Sequence, residues 1–478
     1  ALRALRAGRA VRDQHRRSLG ASELRTSAAI HGNALAALGL RLALASGRAT
    51  AVLEWAERGR AGALWQRPAR PPDDAALAAD LAELRTVLAA VADAGRQSGD
   101  TARQLRRQTE LETSIRRRAR HAAGDGGGGH ADGFAPPQVE RLRGALGERA
   151  LVEFVRDGDA LWAVVVGGAA HAKLVRLAAP ADVERELQAL RFALRRLARG
   201  GGSAASQAVA RDNAAHAARQ LDGHLLAPLA WLLGERRELV LVPTGELHAV
   251  PWPALASCGG RALSVAPSAA LWLRAAQRRA TAAGDRLVLA AGPGLPHAAA
   301  EVRALAERHA AGAVLLAAAA TVPAVGAALE TAACAHIASH GVFRADNPLF
   351  SALQLADGPL TVYDLERLRA APRDMILSAC DGGVTAIRPG DELMGFSGAL
   401  LALGTSALIA SVVPVADEPT HRLMLALHER LAAGEGPAAA LAGAAAGALD
   451  LDLPADYATA AGFVCFGAGS AACARPAS

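Results

Sequence analysis

Two short blocks within residues 334–383 constrain the fold more than any other part of the chain. Cys334-Ala-His-Ile-Ala-Ser-His-Gly341 and Met375-Ile-Leu-Ser-Ala-Cys-Asp-Gly-Gly383 are each an apolar run that stops at a reactive side chain followed by glycine. Ala335–Ala338 and Met375–Ala379 have the length of buried strands. Between them, Thr361-Val-Tyr-Asp364 has the Ser/Thr-x-x-Asp/Glu form of a helix start, and Pro372 closes that helix. Strand, helix, strand in this order predicts a right-handed crossover between two parallel strands of one sheet. Reactive groups in open α/β sheets gather outside the carboxyl ends of the strands. His340 and Cys380 are both expected there, side by side.

An ordinary thiol has a pKa of about 8.5 and is mostly protonated at neutral pH. A neighbouring imidazole can take its proton and later pass a proton to a leaving amine. Glycine after each reactive residue lets backbone amides approach a substrate carbonyl. The pattern therefore points to cysteine–histidine acyl transfer. Three other readings of the same residues stand beside it: Cys380 as a packing residue at a strand end, a zinc site built from Cys334, His336 and His340 on one strand face, and an inactive copy of an enzyme site. The zinc reading lacks a CxxC or a closing ligand pair.

The first block resembles the histidine block of the CHAT family, caspase- and separase-like peptidases that accompany tetratricopeptide repeats. Leu377-Ser-Ala-Cys-Asp-Gly-Gly383 is similar to that family's cysteine block, with Asp381 where glutamate is usual. Pro348-Leu-Phe-Ser-Ala-Leu353, Gly390-Asp-Glu-Leu-Met-Gly-Phe396 and Val413-Pro-Val-Ala-Asp-Glu-Pro-Thr420 match further blocks in order, and Pro243-Thr-Gly-Glu-Leu-His-Ala-Val-Pro-Trp252 another near the start of the core. The resemblance implies a caspase-like α/β domain with His340 as general base and Cys380 as nucleophile. The amides of Gly341 and Cys380 would form the oxyanion hole. It also implies a protein substrate, a basic residue before the cut, and latency until a protein partner binds the repeat region, in a bacterial defence or cell-death setting. Asp381, Asp417 and Glu418 are the candidate pocket acids; Asp391 and Glu392 read better as helix caps. This chemistry needs no metal and no cofactor. The alternative is a catalytically inactive scaffold for protein–protein interaction.

The charge balance (+6) is carried almost wholly by arginine, since Lys173 is the only lysine. The basic excess sits mainly before residue 121, without aromatic interleaving, so nucleic acid is not the expected ligand. Five scattered cysteines argue against a disulfide framework and for a reducing, cytoplasmic setting. Apolar stretches such as Ala399–Val413 are too short to span a membrane.

Residues 1–66 read as a tetratricopeptide-like helical repeat, the end of a longer array, and the chain is expected to be cut from a longer one. Residues 67–123 read as a long helical hairpin, with stripes at Leu77, Leu81, Leu84 and Leu88 and at Leu105, Leu111 and Ile115. Residues 124–149 are a Gly-rich linker and lead-in. Residues 150–470 alternate β and α segments, predicting a mostly parallel sheet with helices on both faces. Within them, Asp391–Leu403 reads as one helix, His248 as a structural loop residue, and Gly292-Pro-Gly294 as too little for a nucleotide site.

Overall fold

Runs such as Leu287-Val-Leu-Ala-Ala291 bury every side chain only in a strand covered on both faces. The computed structural model uses them in that way. It describes residues 2–17, 22–65, 74–96, 101–121, 136–167, 172–281, 284–309, 312–379, 386–388, 391–449 and 453–470.

The strands are β1 (Ala150–Asp157), β2 (Ala160–Gly167), β3 (Lys173–Arg176), β4 (Glu238–Val242), β5 (Ala262–Val265), β6 (Leu287–Ala291), β7 (Ala313–Leu315), β8 (Cys334–Ala338), β9 (Gly341–Val342), β10 (Ala352–Leu355), β11 (Gly358–Thr361), β12 (Asp374–Ser378), β13 (Ala386–Arg388), β14 (Glu392–Met394), β15 (Ala407–Ser411) and β16 (Phe463–Gly467). Eleven of them form one sheet in the order β3-β2-β1-β4-β5-β16-β15-β12-β8-β6-β7. Nine of them make two parallel blocks running in opposite directions, and β2 and β3 add antiparallel pairings at one edge. β7, β6, β8, β12 and β15 run together, as do β1, β4, β5 and β16. The blocks meet at the antiparallel pair β15–β16. The β1–β2 hairpin turns at the Arg156-Asp-Gly-Asp159 signal, with Gly158 at φ +57°.

The helices are α1 (Leu2–Arg17), α2 (Ser22–Ala45), α3 (Ala49–Gly59), α4 (Ala75–Arg96), α5 (Ala102–His121), α6 (Val139–Leu146), α7 (Pro180–Arg199), α8 (Ala204–Leu225), the single turn α9 (Ala230–Leu233), α10 (Ala269–Thr281), α11 (Ala298–Arg308), α12 (Val322–Leu329), α13 (Val362–Glu366), α14 (Phe396–Leu403), α15 (Asp417–Ala432), α16 (Pro437–Leu449) and α17 (Pro454–Gly462). They cover both faces, and the period-2 alternation decides which residue meets which layer. Val288 and Ala290 lie on the face covered by α12, whereas Leu287, Leu289 and Ala291 pack with α11. Ile376, Ile409 and Phe463 pack with α15 and α16.

The N-terminal helices dock on this domain. Gly39 of α2 lies so close to Trp55 of α3 that a Cβ there would stand 2.1 Å from the ring, the small-against-large contact that seats this helix pair. α3 then buries Val52, Leu53 and Trp55 with β1, β2 and α6. The α4–α5 hairpin buries Leu77, Leu81, Leu84, Leu111 and Ile115 against the main core, and Arg118 of its basic end pairs with Asp80 at 3.0 Å. The Gly124–Gly129 segment lies outside the described residues.

Local structure departs from the sequence reading in three places. Between β8 and α13 the chain makes a separate sheet, β11-β10-β9. The segment expected as one helix over Asp391–Leu403 starts as β14 and becomes helical only after Gly395, whose φ of +134° breaks the path. α17 precedes the last strand, where alanine-rich sequence carried no apolar period to mark it. Among the described residues no helix is long and apolar enough to cross a membrane.

Candidate active site

β8 and β12 are adjacent and parallel, with Ala335 opposite Met375 and Ala338 opposite Ser378. Beyond that last pair, Ser339 donates its N–H to the Ser378 carbonyl at 3.2 Å, so the strands stay side by side as they leave the sheet. His340 follows Ala338 by two residues, and Cys380 follows Ser378 by two. Ala379 is buried; Cys380 and Asp381 themselves lie outside the described residues.

His340 is exposed at this edge. Its backbone is fixed because its carbonyl accepts from Gln354 N–H at 2.9 Å, drawing β9 and Gly341 into the small antiparallel sheet. Its ring is held by the neighbouring strand end: Nε2 lies 3.3 Å from the Gly294 carbonyl. The tautomer that satisfies this contact carries its proton on Nε2, which leaves Nδ1 to accept one. The glycine pair after β6 makes the approach. Gly292 donates to the Ala338 carbonyl at 2.8 Å. A Cβ at Gly292 would stand 2.2 Å from the Gln354 carbonyl oxygen and 2.6 Å from Ser339 Cβ. Gly294 has φ +82°. Sequence reasoning passed over this pair. The signal it carried was glycine at the end of a strand that the topology sets beside β8.

Cys334, His336 and His340 do not form one ligand set. His336 is wholly buried. Its Nε2 lies 2.7 Å from Glu301 Oε1, and its Nδ1 lies 3.1 Å from His428 Nε2, so both ring nitrogens are occupied. His428 is held well below the usual imidazole range by burial, then by His336 and His309. Burial pushes the Cys334 thiol up to about 12, which keeps it protonated and inert. Among the described residues, no group of three or more His, Cys, Asp or Glu is placed to hold a metal ion. A cavity of about 490 Å³ lies at the opposite, amino ends of these strands, lined by Cys334, His309, His428, Arg279, Arg373 and Asp374 among others. It is not where His340 is.

Of the acidic candidates, Asp417 starts α15 just beyond β15 and accepts the His297 N–H at 3.1 Å. Glu418 is exposed and pairs with Arg422 of its own helix at 2.7 Å. Asp391 caps a different segment from the one expected: it accepts from Thr244 Oγ1 at 2.8 Å and from Gly245 N–H at 2.7 Å. His248, in the same turn as Gly245, is buried with its Nε2 3.9 Å from Asp391 Oδ1.

A family model described as CHAT domain matches residues 215–468, more than half of the chain. No curated protein sequence matches it. Among solved structures, separase from a Saccharomyces cerevisiae separase–securin complex is similar with a TM-score of 0.53 at 9% identity, over 69% of this chain and 30% of that one. Gingipain RgpB from Porphyromonas gingivalis, in a complex of its pro- and mature domains, is similar with a TM-score of 0.39 at 12% identity, over 61% of this chain and 78% of that one. The likeness to separase is one of fold: a mostly parallel, caspase-like sheet with an all-α region before it. The chain spans about 30% of the length of that separase chain.

Proposed function

The chain belongs to the CHAT-domain family, and from that premise we propose that it is a cysteine endopeptidase acting through His340 and Cys380. The observation that carries this reading is the register of β8 and β12, in which Ala338 faces Ser378 and each reactive residue stands two positions further along. In the proposed reaction, His340 Nδ1 takes the Cys380 proton and the thiolate sulfur attacks the scissile carbonyl carbon. Backbone amides, those of Gly341 and Cys380, stabilise the oxyanion. The C–N bond breaks as His340 returns the proton to the leaving amine. Water then hydrolyses the thioester, releasing the carboxylate and the thiol. The Gly294 carbonyl orients the imidazole throughout, as the third group that such a pair needs.

The substrate in this reading is a protein with a basic residue before the cut. Asp381 and Asp417 are the pocket acids that fit it best; Glu418 is the weakest, being already paired with Arg422. The α2–α3 pair is read as the end of a tetratricopeptide array that receives a regulatory protein partner, in a cytoplasmic defence or cell-death system. The test is labelling with peptidyl electrophiles that differ in their P1 residue (Arg, Lys, Leu, Asp), mapped by mass. A single adduct on Cys380, lost in His340→Ala and fastest with Arg or Lys, is the expected result. Labelling of Cys380 that ignores His340 would sink the dyad. Equal rates for all four P1 residues would sink the basic pocket.

A further inference from the structure

The helix that ends the N-terminal repeat-like region delivers one arginine into a group of buried acids belonging to the α/β domain. α3 stops at Gly59, and Arg60 leaves it in an extended conformation, φ −124° and ψ 154°. The side chain is buried, 5% exposed. Nη2 donates to the Phe154 carbonyl at 2.8 Å and Nη1 to the Pro243 carbonyl at 3.2 Å, which tie it to the middle of β1 and the end of β4. Its Nε lies 3.6 Å from Glu153 Oε1 and 4.0 Å from Asp391 Oδ2. Glu57, one turn earlier on α3, is also buried and accepts from the N–H groups of Ala269 and Ala270 at the start of α10. Arg60 is thus the cation that Glu57, Glu153 and Asp391 all face. Burial pushes the Glu153 carboxyl well above the usual carboxylate range even with Arg60 beside it. A charged side chain in such a place persists only when paired.

Asp391 is the member that matters for the site. It forms the turn of the β13–β14 hairpin, in which Arg388 faces Glu392, and its φ is +51°, a strained value for a residue with a Cβ. That turn is held by Thr244, Gly245 and Arg60, all outside the hairpin. In sequence, β13 begins six residues after Cys380. On the other half of the dyad, the helices make a matching contact. Glu112 of α5 accepts from Arg344 at 3.0 Å, and Arg85 of α4 reaches Asp364 at 3.2 Å, both on the segment that follows His340. The N-terminal region therefore contacts Arg344, four positions after His340, and, through Arg60, Asp391, eleven positions after Cys380.

We propose that Arg60 is a positioning residue for Cys380: its pairing with Asp391 fixes the β13–β14 hairpin, which follows the nucleophile in sequence. The proposal rests on the reading of Cys380 as nucleophile. Removing the Arg60 side chain takes its guanidinium away from Glu153 and Asp391 at once.

The test compares Arg60→Met, Asp391→Asn and the double variant Arg60→Met/Glu153→Gln with the unaltered protein. The double variant removes one buried carboxylate together with the cation, so it keeps the core balanced if Arg60→Met fails to fold. Hydrogen exchange is read at residues 386–388 and 391–394 and at β6, with the rate of Cys380 alkylation by iodoacetamide against pH read in parallel. The expected result is exchange about tenfold or more faster in the hairpin with β6 unchanged, and an alkylation midpoint that moves up to about 8.5, the value of an unassisted thiol. Unchanged hairpin exchange, or a loosened hairpin with an unmoved alkylation profile, overturns the proposal. So does equal loosening of hairpin and β6 in every variant, which would make Arg60 an ordinary core residue. A failure of the peptidase reading looks different: peptidyl labelling then ignores His340, whatever the hairpin does.

Discussion

Lowering the pH should unfold this protein in part through His248. The imidazole is buried beside Asp391 and Arg60. Burial, the largest influence, pulls its pKa down from 6.5 to about 4; Asp391 opposes that shift and Arg60 reinforces it. Below pH 6.5 the unfolded chain binds a proton at this position and the native chain does not, so native stability falls as the pH drops from 6.5 towards 4. Each unit is worth about 1.4 kcal/mol, so the full window is worth about 3 kcal/mol. That is a large share of the roughly 5–15 kcal/mol that holds a domain folded. His248→Gln keeps a polar side chain of similar size without the titration. Urea unfolding of both proteins at pH 7.5, 6.5, 5.5 and 4.5 isolates the effect, because carboxylates shared by the two cancel in the difference. The variant should gain on the unaltered protein steadily below pH 6.5. A difference that stays constant across the series would refute the reasoning.

Three further outcomes follow from the geometry. Gly292→Ala places a methyl group against the Gln354 carbonyl and Ser339 Cβ, so the loop that orients His340 must shift; the labelling rate of Cys380 should fall about tenfold or more, and an unchanged rate would discard Gly294 as the orienting group. Glu301→Leu leaves His336 Nε2 in the core without its acceptor and should cost about 1–3 kcal/mol in chemical denaturation. Cys258 and Cys465 are buried, and burial raises the thiols of these two and of Cys334. In the folded protein at pH 7.5 iodoacetamide should leave all three unmodified, and they should react on unfolding.

Much of the candidate site was legible because it is written in local patterns. Ala335–Ala338 and Met375–Ala379 were readable as strands because an apolar run that stops at a reactive residue has few other uses, and the Thr361–Asp364 capping box appears with both of its hydrogen bonds. The CHAT blocks, in order along the chain, carried the family. What stayed hidden is what depends on partners far away in sequence. Gly292 and Gly294 say nothing until β6 is placed next to β8. Asp391 read as a helix cap because the residues it caps, Thr244 and Gly245, lie at the end of a different strand.

The sequence by itself therefore determined the α/β class, the parallel pairing of the two strands that precede His340 and Cys380 in sequence, and the two helical elements before them, since periodicity and capping act over a few residues. Only the tertiary structure decided that the sheet reverses direction at β15–β16, that His336 is spent on Glu301 and His428, and that Arg60 meets Asp391. Burial and charge pairing act between side chains brought together by the whole fold, and no spacing along the chain encodes them.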